Sequence, residues 1–187
     1  VMAFVSAPDY ETKQTYSMIA SVSDDNFTTR KAIQISINNL NDTSPSFTSS
    51  SSFSADENQT AIGTVTATDA DGDSLTYSIS GSEININSST GILSFATEPN
   101  YETKSSYTAT VTATDGTNTS TQNITVNITD VNEAPEFTSS STFSASENQT
   151  SIGTVTASDV DGDSITYSIS GSDITINSST GVIAFAS

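Results

Sequence analysis

The residues of this chain able to do chemistry are carboxylates and carboxamides, and they recur in register. Glu57-Asn58 returns as Glu147-Asn148, and Asp69-x-Asp71-Gly72-Asp73 returns as Asp159-x-Asp161-Gly162-Asp163. Asp9-Tyr10-Glu11 has a counterpart in Asn100-Tyr101-Glu102, and Asn39-x-Asn41-Asp42 has one in Asp130-x-Asn132-Glu133. Crowded carboxylates repel unless a cation neutralises them. Oxygen donors with no His or Cys among them select Ca²⁺ or Mg²⁺ over Zn²⁺ or Cu²⁺. Many carboxylates together with Asn side chains and backbone carbonyls suit the six to eight oxygens that Ca²⁺ takes. Turn chemistry and N–H acceptance would also place Asp and Asn at strand ends, but do not by themselves return the same acids in the same order.

Two calcium loops fail on spacing. An EF-hand puts its glycine after the third acid and a Glu at the twelfth position; here Gly72 follows the second acid and the twelfth position is Ser80. The nonapeptide β-helix needs paired glycines, and the chain has no Gly-Gly. Catalysis is also set aside. A glycosidase wants two carboxyls facing across one cleft, whereas these acids repeat unchanged, with no His, Cys or Trp to assist them. The expectation is a non-enzyme.

The elements that must position the acids are set by the same repetition. Residues 45–97 are matched at 135–187, with 40 of 53 paired positions identical at an offset of 90, and the beginning of the chain aligns with residues 101–133 at an offset of 91. A period near 90 residues is one β-sandwich per repeat, longer than a solenoid unit or a propeller blade. The domains expected are therefore the C-terminal part of a repeat over 1–44, a complete repeat over 45–134 and the N-terminal part of a third over 135–187. Within the complete repeat the apolar residues alternate: Leu75, Tyr77 and Ile79; Tyr107, Ala109, Val111 and Ala113; Ile124, Val126 and Ile128. Shorter runs at 63–67, 84–86 and 92–95 complete about seven strands, and Asn87-Ser-Ser-Thr-Gly91 joins two of them as a hairpin. The fold class is all-β, a tandem Greek-key sandwich of immunoglobulin-like type, with Phe53, Tyr77, Phe95 and Tyr107 in the core.

Composition narrows the partners. With 22 acidic against 4 basic residues and a net charge of −18, nucleic acid is excluded, since phosphate binding needs a basic face. Hydrophobic content of 33% with that charge raises disorder, but the clean alternation argues against it. Val1 is no initiator and no signal peptide precedes it, which reads as a fragment of a longer protein. No apolar run approaches the roughly 18 residues of a membrane span. With no Cys to staple small exported domains, metal is the usual substitute.

The ordered set of motifs resembles the cadherin repeat over essentially the whole chain. Asp130-Val-Asn132-Glu133-Ala-Pro135-x-Phe137 and Asn39-Leu-Asn41-Asp42-Thr-Ser-Pro45-x-Phe47 look like the family's inter-repeat linker. Asp69-Ala-Asp71 and Asp159-Val-Asp161 match its Asp-x-Asp pair, and Asp9-Tyr-Glu11 and Asn100-Tyr-Glu102 match its Asp-x-Glu motif. Ala113-Thr-Asp115-Gly116 matches its Ala-x-Asp-x-Gly loop, and Glu57 and Glu147 match its early Glu. The short Asp-Gly-Asp-Ser loop and the Thr, Ser and Asn richness look like bacterial members. The resemblance implies Ca²⁺ between repeats. Junction one would use Asp9, Glu11, Asn39, Asn41, Asp42, Asp69, Asp71 and Asp115. Junction two would use Glu57, Asn100, Glu102, Asp130, Asn132, Glu133, Asp159 and Asp161, with Asp73 and Asp163 as further loop oxygens. Each junction lacks one ligand, because the early Glu of the first repeat would precede Val1 and the loop Asp of the third would follow Ser187. Asn39 and Asn100 stand where the family has Asp, Glu133 is longer than Asp, and junction two is one residue shorter before its proline, so fewer ions are expected there.

The function this implies is a calcium-dependent, rigid, extracellular or cell-surface stalk or adhesin segment. Its partners would be calcium ions and other repeats, with a cell-surface protein or a glycan left open as the adhesive ligand. The rival is a self-assembling filament. Residues 137–187 supply early strands and 1–42 supply late ones, overlapping in one strand (residues 1–6 against 182–187), so head-to-tail copies would complete one another. Sequons at Asn58, Asn123 and Asn148 are as frequent as this composition produces by chance.

Overall fold

The computed structural model describes residues 3–186, and every regular element in them is a strand. Two strands precede the first linker, β1 (Thr15–Ser23) and β2 (Thr28–Ser36). The central unit holds β3 (Ser46–Phe47), β4 (Ser52–Asp56), β5 (Ala61–Thr64), β6 (Ala67–Thr68), β7 (Thr76–Ile79), β8 (Ile84–Ile86), β9 (Ile92–Phe95), β10 (Ser106–Thr114) and β11 (Thr119–Thr129). The last unit has β12 (Glu136–Phe137), β13 (Ser151–Thr154), β14 (Ala157–Ser158), β15 (Ile174–Ile176) and β16 (Val182–Phe185).

One sheet of the central sandwich runs β4-β11-β10-β7; the other is built from β5-β9-β8 and the short pair β3-β6. The alternation in β10 and β11 sends Val111, Ala113, Ile124, Val126 and Ile128 inward against Val65, Ile84, Leu93 and Phe95 from the facing layer. Burying one side-chain set while Thr and Asn face water is what fixes the register. Phe53, Tyr77 and Tyr107 pack against this core as expected. The Tyr77 hydroxyl accepts the Ala67 N–H at 3.0 Å, and Tyr167 repeats that bond with Ala157 at 3.1 Å.

The sequence suggests about seven strands, and the central unit has nine segments because two strands break. The first strand leaves β6 after Phe47, where the N–H groups of Thr48 and Ser49 both turn to the Thr66 carbonyl. It then crosses to β11, which it joins in parallel, Thr125 opposite Ser52 through Thr129 opposite Asp56. The expected run 63–67 divides into β5 and β6. The register slips between Ala61 and Gly63, and the Val65 N–H donates to the Gly91 carbonyl instead of continuing the ladder. Gly91 sits at φ +70° with a Cβ position 2.1 Å from the Val65 carbonyl oxygen, so no side chain fits there. The expected hairpin at Asn87–Gly91 is present between β8 and β9, and Leu75 lies just outside β7.

The outer units depart further. Residues 166–169 repeat the sequence of β7 and residues 142–146 keep the central Phe-Ser-Ala of β4, yet neither is a strand. In the central unit those strands pair with β11 and β10, and among the described residues no counterparts of β10 and β11 follow β16. Their apolar residues are correspondingly open: Phe143 and Ile169 are 40% and 44% exposed, and Phe137, on β12, is 75% exposed. The strand expected over residues 1–6 is absent from its described part: residues 3–6 are irregular, whereas 182–185 form β16 between β13 and β15. Val1, Met2 and Ser187 lie outside the described residues.

Leu93 is 1% exposed at the centre of the core. Replacing it with Ala is expected to cost about 2–5 kcal/mol in urea unfolding of the central unit, with a loss under about 1 kcal/mol counting against this packing.

Candidate junction metal sites

The parallel pairing of β4 with β11 brings the end of the first strand beside the chain's exit into the second linker. Glu57 is therefore held next to Asp130, and its N–H donates to the Thr129 carbonyl at 3.1 Å. Glu57 is the one polar or charged residue among those described that is buried as a whole, at 2% exposure. Its carboxylate accepts the Tyr101 N–H at 2.9 Å and the Val131 N–H at 3.0 Å, tying the segment before β10 to the linker. Asn58 follows in a left-handed turn at φ 60°, a conformation Asn tolerates better than most residues, and its amide donates to Glu133.

Carboxylate oxygens gather in two groups at this second junction. Glu57, Glu102 and Asp130 present oxygens within 4.8 Å of one another, and so do Glu102, Glu133 and Asp161. The second group crosses from the central unit through the linker to the third. At the first junction Glu11, Asp42 and Asp71 form the crossing group, and Asp69, Asp71 and Asp73 a group within one loop. That loop is fastened by its own first residue: Asp69 Oδ1 accepts the Asp71 N–H at 2.9 Å, and Asp159 repeats the bond with Asp161 at 3.1 Å. Asp71 Oδ2 accepts the Thr43 N–H at 2.9 Å and Asp161 Oδ2 accepts the Glu133 N–H at 2.7 Å. Thr43 and Glu133 are thus structural equivalents, each two residues before its proline. The residue missing from the second linker is therefore lost upstream of that bond.

The remaining candidates sit nearby with different work. Asn39 donates to the Asp71 carbonyl at 2.8 Å. Asp9 lies outside the carboxylate groups: one oxygen accepts the Glu11 N–H at 3.1 Å and the other the Thr12 hydroxyl at 2.7 Å. Asp115 accepts the N–H groups of Thr117 and Asn118 at 2.7 and 2.6 Å, closing the β10–β11 turn. Asn100 accepts the Thr103 N–H at 2.8 Å, and Asn132 donates to the Glu133 carbonyl at 2.9 Å. Asp163 and Asp159 join no three-carboxylate group, although Asp163 is close enough to raise Asp130. Asn41 accepts from Asn118, a residue the sequence patterns do not mark, since its counterpart 91 positions earlier is Phe27. Asn58 is likewise a partner of the site that only its recurrence at 148 signals.

Buried carboxylate oxygens normally find donors. Asp69 Oδ2, Asp71 Oδ1, Glu133 Oε2 and Asp161 Oδ1 are buried with no hydrogen-bond partner, two at each junction. An all-oxygen donor set with such orphaned oxygens fits a hard cation of the calcium type. Electrostatics agree. Asp130 is raised above its ordinary value by loss of solvation and then by Asp161, Glu57 and Asp163. Loss of solvation also raises Glu133; the Asn58 amide pulls it down, but Glu57, Asp161 and Glu102 leave it raised. Glu11 is drawn down by its own N–H, yet loss of solvation with Asp9 and Asp71 leaves it raised.

Comparison with known proteins agrees with this geometry. Residues 51–129 match the family model of the cadherin domain. Three solved structures illustrate the likeness. Mouse cadherin-23 EC22-24 is 24% identical with a TM-score of 0.60, covering 96% of this chain and 66% of its own. Human CDH23 EC21-23 is 21% identical with a TM-score of 0.69, covering 96% and 66%. The protocadherin gammaB7 EC3-6 cis-dimer structure is 19% identical with a TM-score of 0.66, covering 95% and 53%. The chain thus spans about half to two thirds of their lengths, and at these identities the likeness is one of fold. No curated protein matches. The unit defined by these strands is a Greek-key β-sandwich repeat. Residues 51–129 thus match the cadherin domain, and the chain shares the fold of cadherin ectodomain repeats.

A pH dependence follows from the signs. In metal-free protein the raised groups Glu11, Asp130 and Glu133 take up protons in the native state first as pH falls from 7, so stability rises. Below ordinary carboxylate values the unfolded chain protonates ahead of Asp9 and Asp24, which hydrogen bonds lower, and of Asp115, where loss of solvation is outweighed by hydrogen bonds, and stability falls. Urea midpoints of metal-free protein should pass through a maximum in mild acid; a steady decline from pH 7 downward would contradict the assignment.

Proposed function

We propose that this chain is a length of an extracellular, calcium-stiffened stalk or adhesin built of tandem cadherin repeats, one over 45–134 and parts of two others over 1–44 and 135–187. The observation that carries the reading is that each junction gathers carboxylates from both sides of a linker and leaves two buried oxygens there without donors. Calcium would be held by Glu11, Asp42, Asp69 and Asp71 at the first junction. Glu57, Glu102, Asp130, Glu133 and Asp161 would hold it at the second, with Asn39, Asp73 and the backbone carbonyls near them completing the donor set. The ion supplies positive charge shared by two repeats, so that bending the linker separates carboxylates from it. The residues themselves set direction: Glu57 fixes where the linker leaves, and Asp71 and Asp161 fix where it docks.

Extracellular modules hold calcium at roughly 10⁻⁴–10⁻³ M, which makes such a segment stiff outside cells and pliable where calcium is scarce. Small-angle scattering of the chain should show a longer, narrower particle in millimolar calcium than after chelation. Identical profiles would remove calcium from the function. Glu57→Gln keeps the shape of the buried side chain and removes its charge, and is expected to weaken calcium binding at the second junction roughly 10–100-fold. The first junction should keep its affinity.

A second reading, the filament, is favoured by the open edges. The β1–β2 pair leaves Met18, Ile19 and Val22 exposed, and the irregular segments 142–146 and 166–169 are the counterparts of the strands that β1 and β2 would pair with, by analogy with β4-β11-β10-β7. Head-to-tail copies would close both, as would neighbouring repeats in a longer chain. Sedimentation of this chain across a concentration series decides between them: concentration-dependent end-to-end growth supports the filament, and a monomer at all concentrations leaves the stalk.

A further inference from the structure

Asn118 lies in the turn between β10 and β11, and its side chain leaves that turn for the first linker. Its backbone is pinned from three directions. The N–H donates to Asp115 Oδ1 at 2.6 Å, and the carbonyl accepts the Thr114 hydroxyl at 2.8 Å and the Asp115 N–H at 3.3 Å. From that position Nδ2 meets Asn41 Oδ1 at 2.7 Å, Asp115 Oδ2 at 3.2 Å, the Thr43 carbonyl at 3.4 Å and the Asn41 carbonyl at 3.5 Å. Four oxygens from two segments more than 70 positions apart converge on one nitrogen that has only two hydrogens to give. Convergent oxygens without matching donors are the surroundings of a cation, here met by a neutral amide.

We propose that Asn118 is an ion-free latch, its amide nitrogen taking the place among these oxygens that a cation would otherwise take. It holds the first linker against the tip of the β10–β11 hairpin whether or not calcium is present. The Asn41-Asp42-Thr43 segment thereby keeps its docking to Asp71 when the neighbouring carboxylates lose their ion. The latch belongs to this hairpin and not to the repeat as such, because the equivalent tip between β1 and β2 carries Phe27, 77% exposed. The inference rests on the calcium reading only for the ion count at the junction; the latch itself is a metal-free contact.

The test uses the whole chain without metal and follows amide hydrogen exchange over residues 39–43. Asn118→Ala is expected to speed exchange there about five- to tenfold, the worth of one hydrogen bond, while strand amides of β10 and β11 stay protected. Asn41→Ala, which leaves the hairpin untouched, should do the same, and the double variant should add little to either alone. In calcium titrations Asn118→Asp, which turns the nitrogen into a charged oxygen, should add an ion or tighten binding at the first junction. Unchanged exchange in Asn118→Ala or in Asn41→Ala overturns the latch. A lower calcium count in Asn118→Ala also overturns it, because the side chain would then be a ligand through its oxygen. Failure of the calcium reading shows separately, as wild-type protein that binds no ion yet keeps slow exchange at the linker.

Discussion

The pairing of β4 with β11 in parallel is the constraint on which the arrangement depends. It lays the first and last strands of a repeat side by side, so the residue that ends one faces the linker that leaves the other. Glu57 then does two things at once: it satisfies the N–H groups of Tyr101 and Val131 and presents its charge to Asp130 and Glu102. At the opposite pole the Asp69–Asp73 loop and the tip of the β10–β11 hairpin meet the preceding linker. A repeat with acids at both poles, stacked end on end, brings carboxylates together at every joint.

The chain offers little positive charge to offset them. It has four basic residues, and the one salt bridge among the described residues joins Lys104 to Glu83 on the surface. Lys104 also lies 4.2 Å from the Tyr107 ring and Lys13 lies 4.4 Å from the Tyr16 ring, equivalent positions serving the side of a strand and not the joint. Neutral donors do part of the work: Asn39, Asn58 and Asn118 each place an amide against junction oxygens. Four buried carboxylate oxygens remain without donors, and an external cation is what the donor chemistry calls for.

The core and the location of the acids were legible because both depend on period. Alternation identified Val111, Ala113, Ile124 and Val126, and repetition identified Glu57, Asp71, Asp130 and Asp161. What depends on chain crossing was not legible. The break at Thr48 and Ser49 needs knowledge of the strand waiting on the other sheet. The irregularity of 142–146 shows a strand-forming sequence left without its partner, since the homologous residues 52–56, which share Phe-Ser-Ala, form β4 where β11 is beside them. The equivalence of Thr43 with Glu133 is set by a backbone bond to an aspartate, whereas alignment from the front of the linker pairs Glu133 with Asp42. Asn118 carries no periodic signal, and only the geometry of the turn aims it at the linker.

The central claim is that a calcium ion shared across the linker fixes the angle between repeats. The chain has no cysteine, so spin labels at Thr121→Cys and Thr175→Cys report one distance across the second junction. The account predicts a narrow distance distribution in millimolar calcium that broadens severalfold on chelation and narrows again when calcium is restored. A distribution of the same width with and without calcium would contradict it.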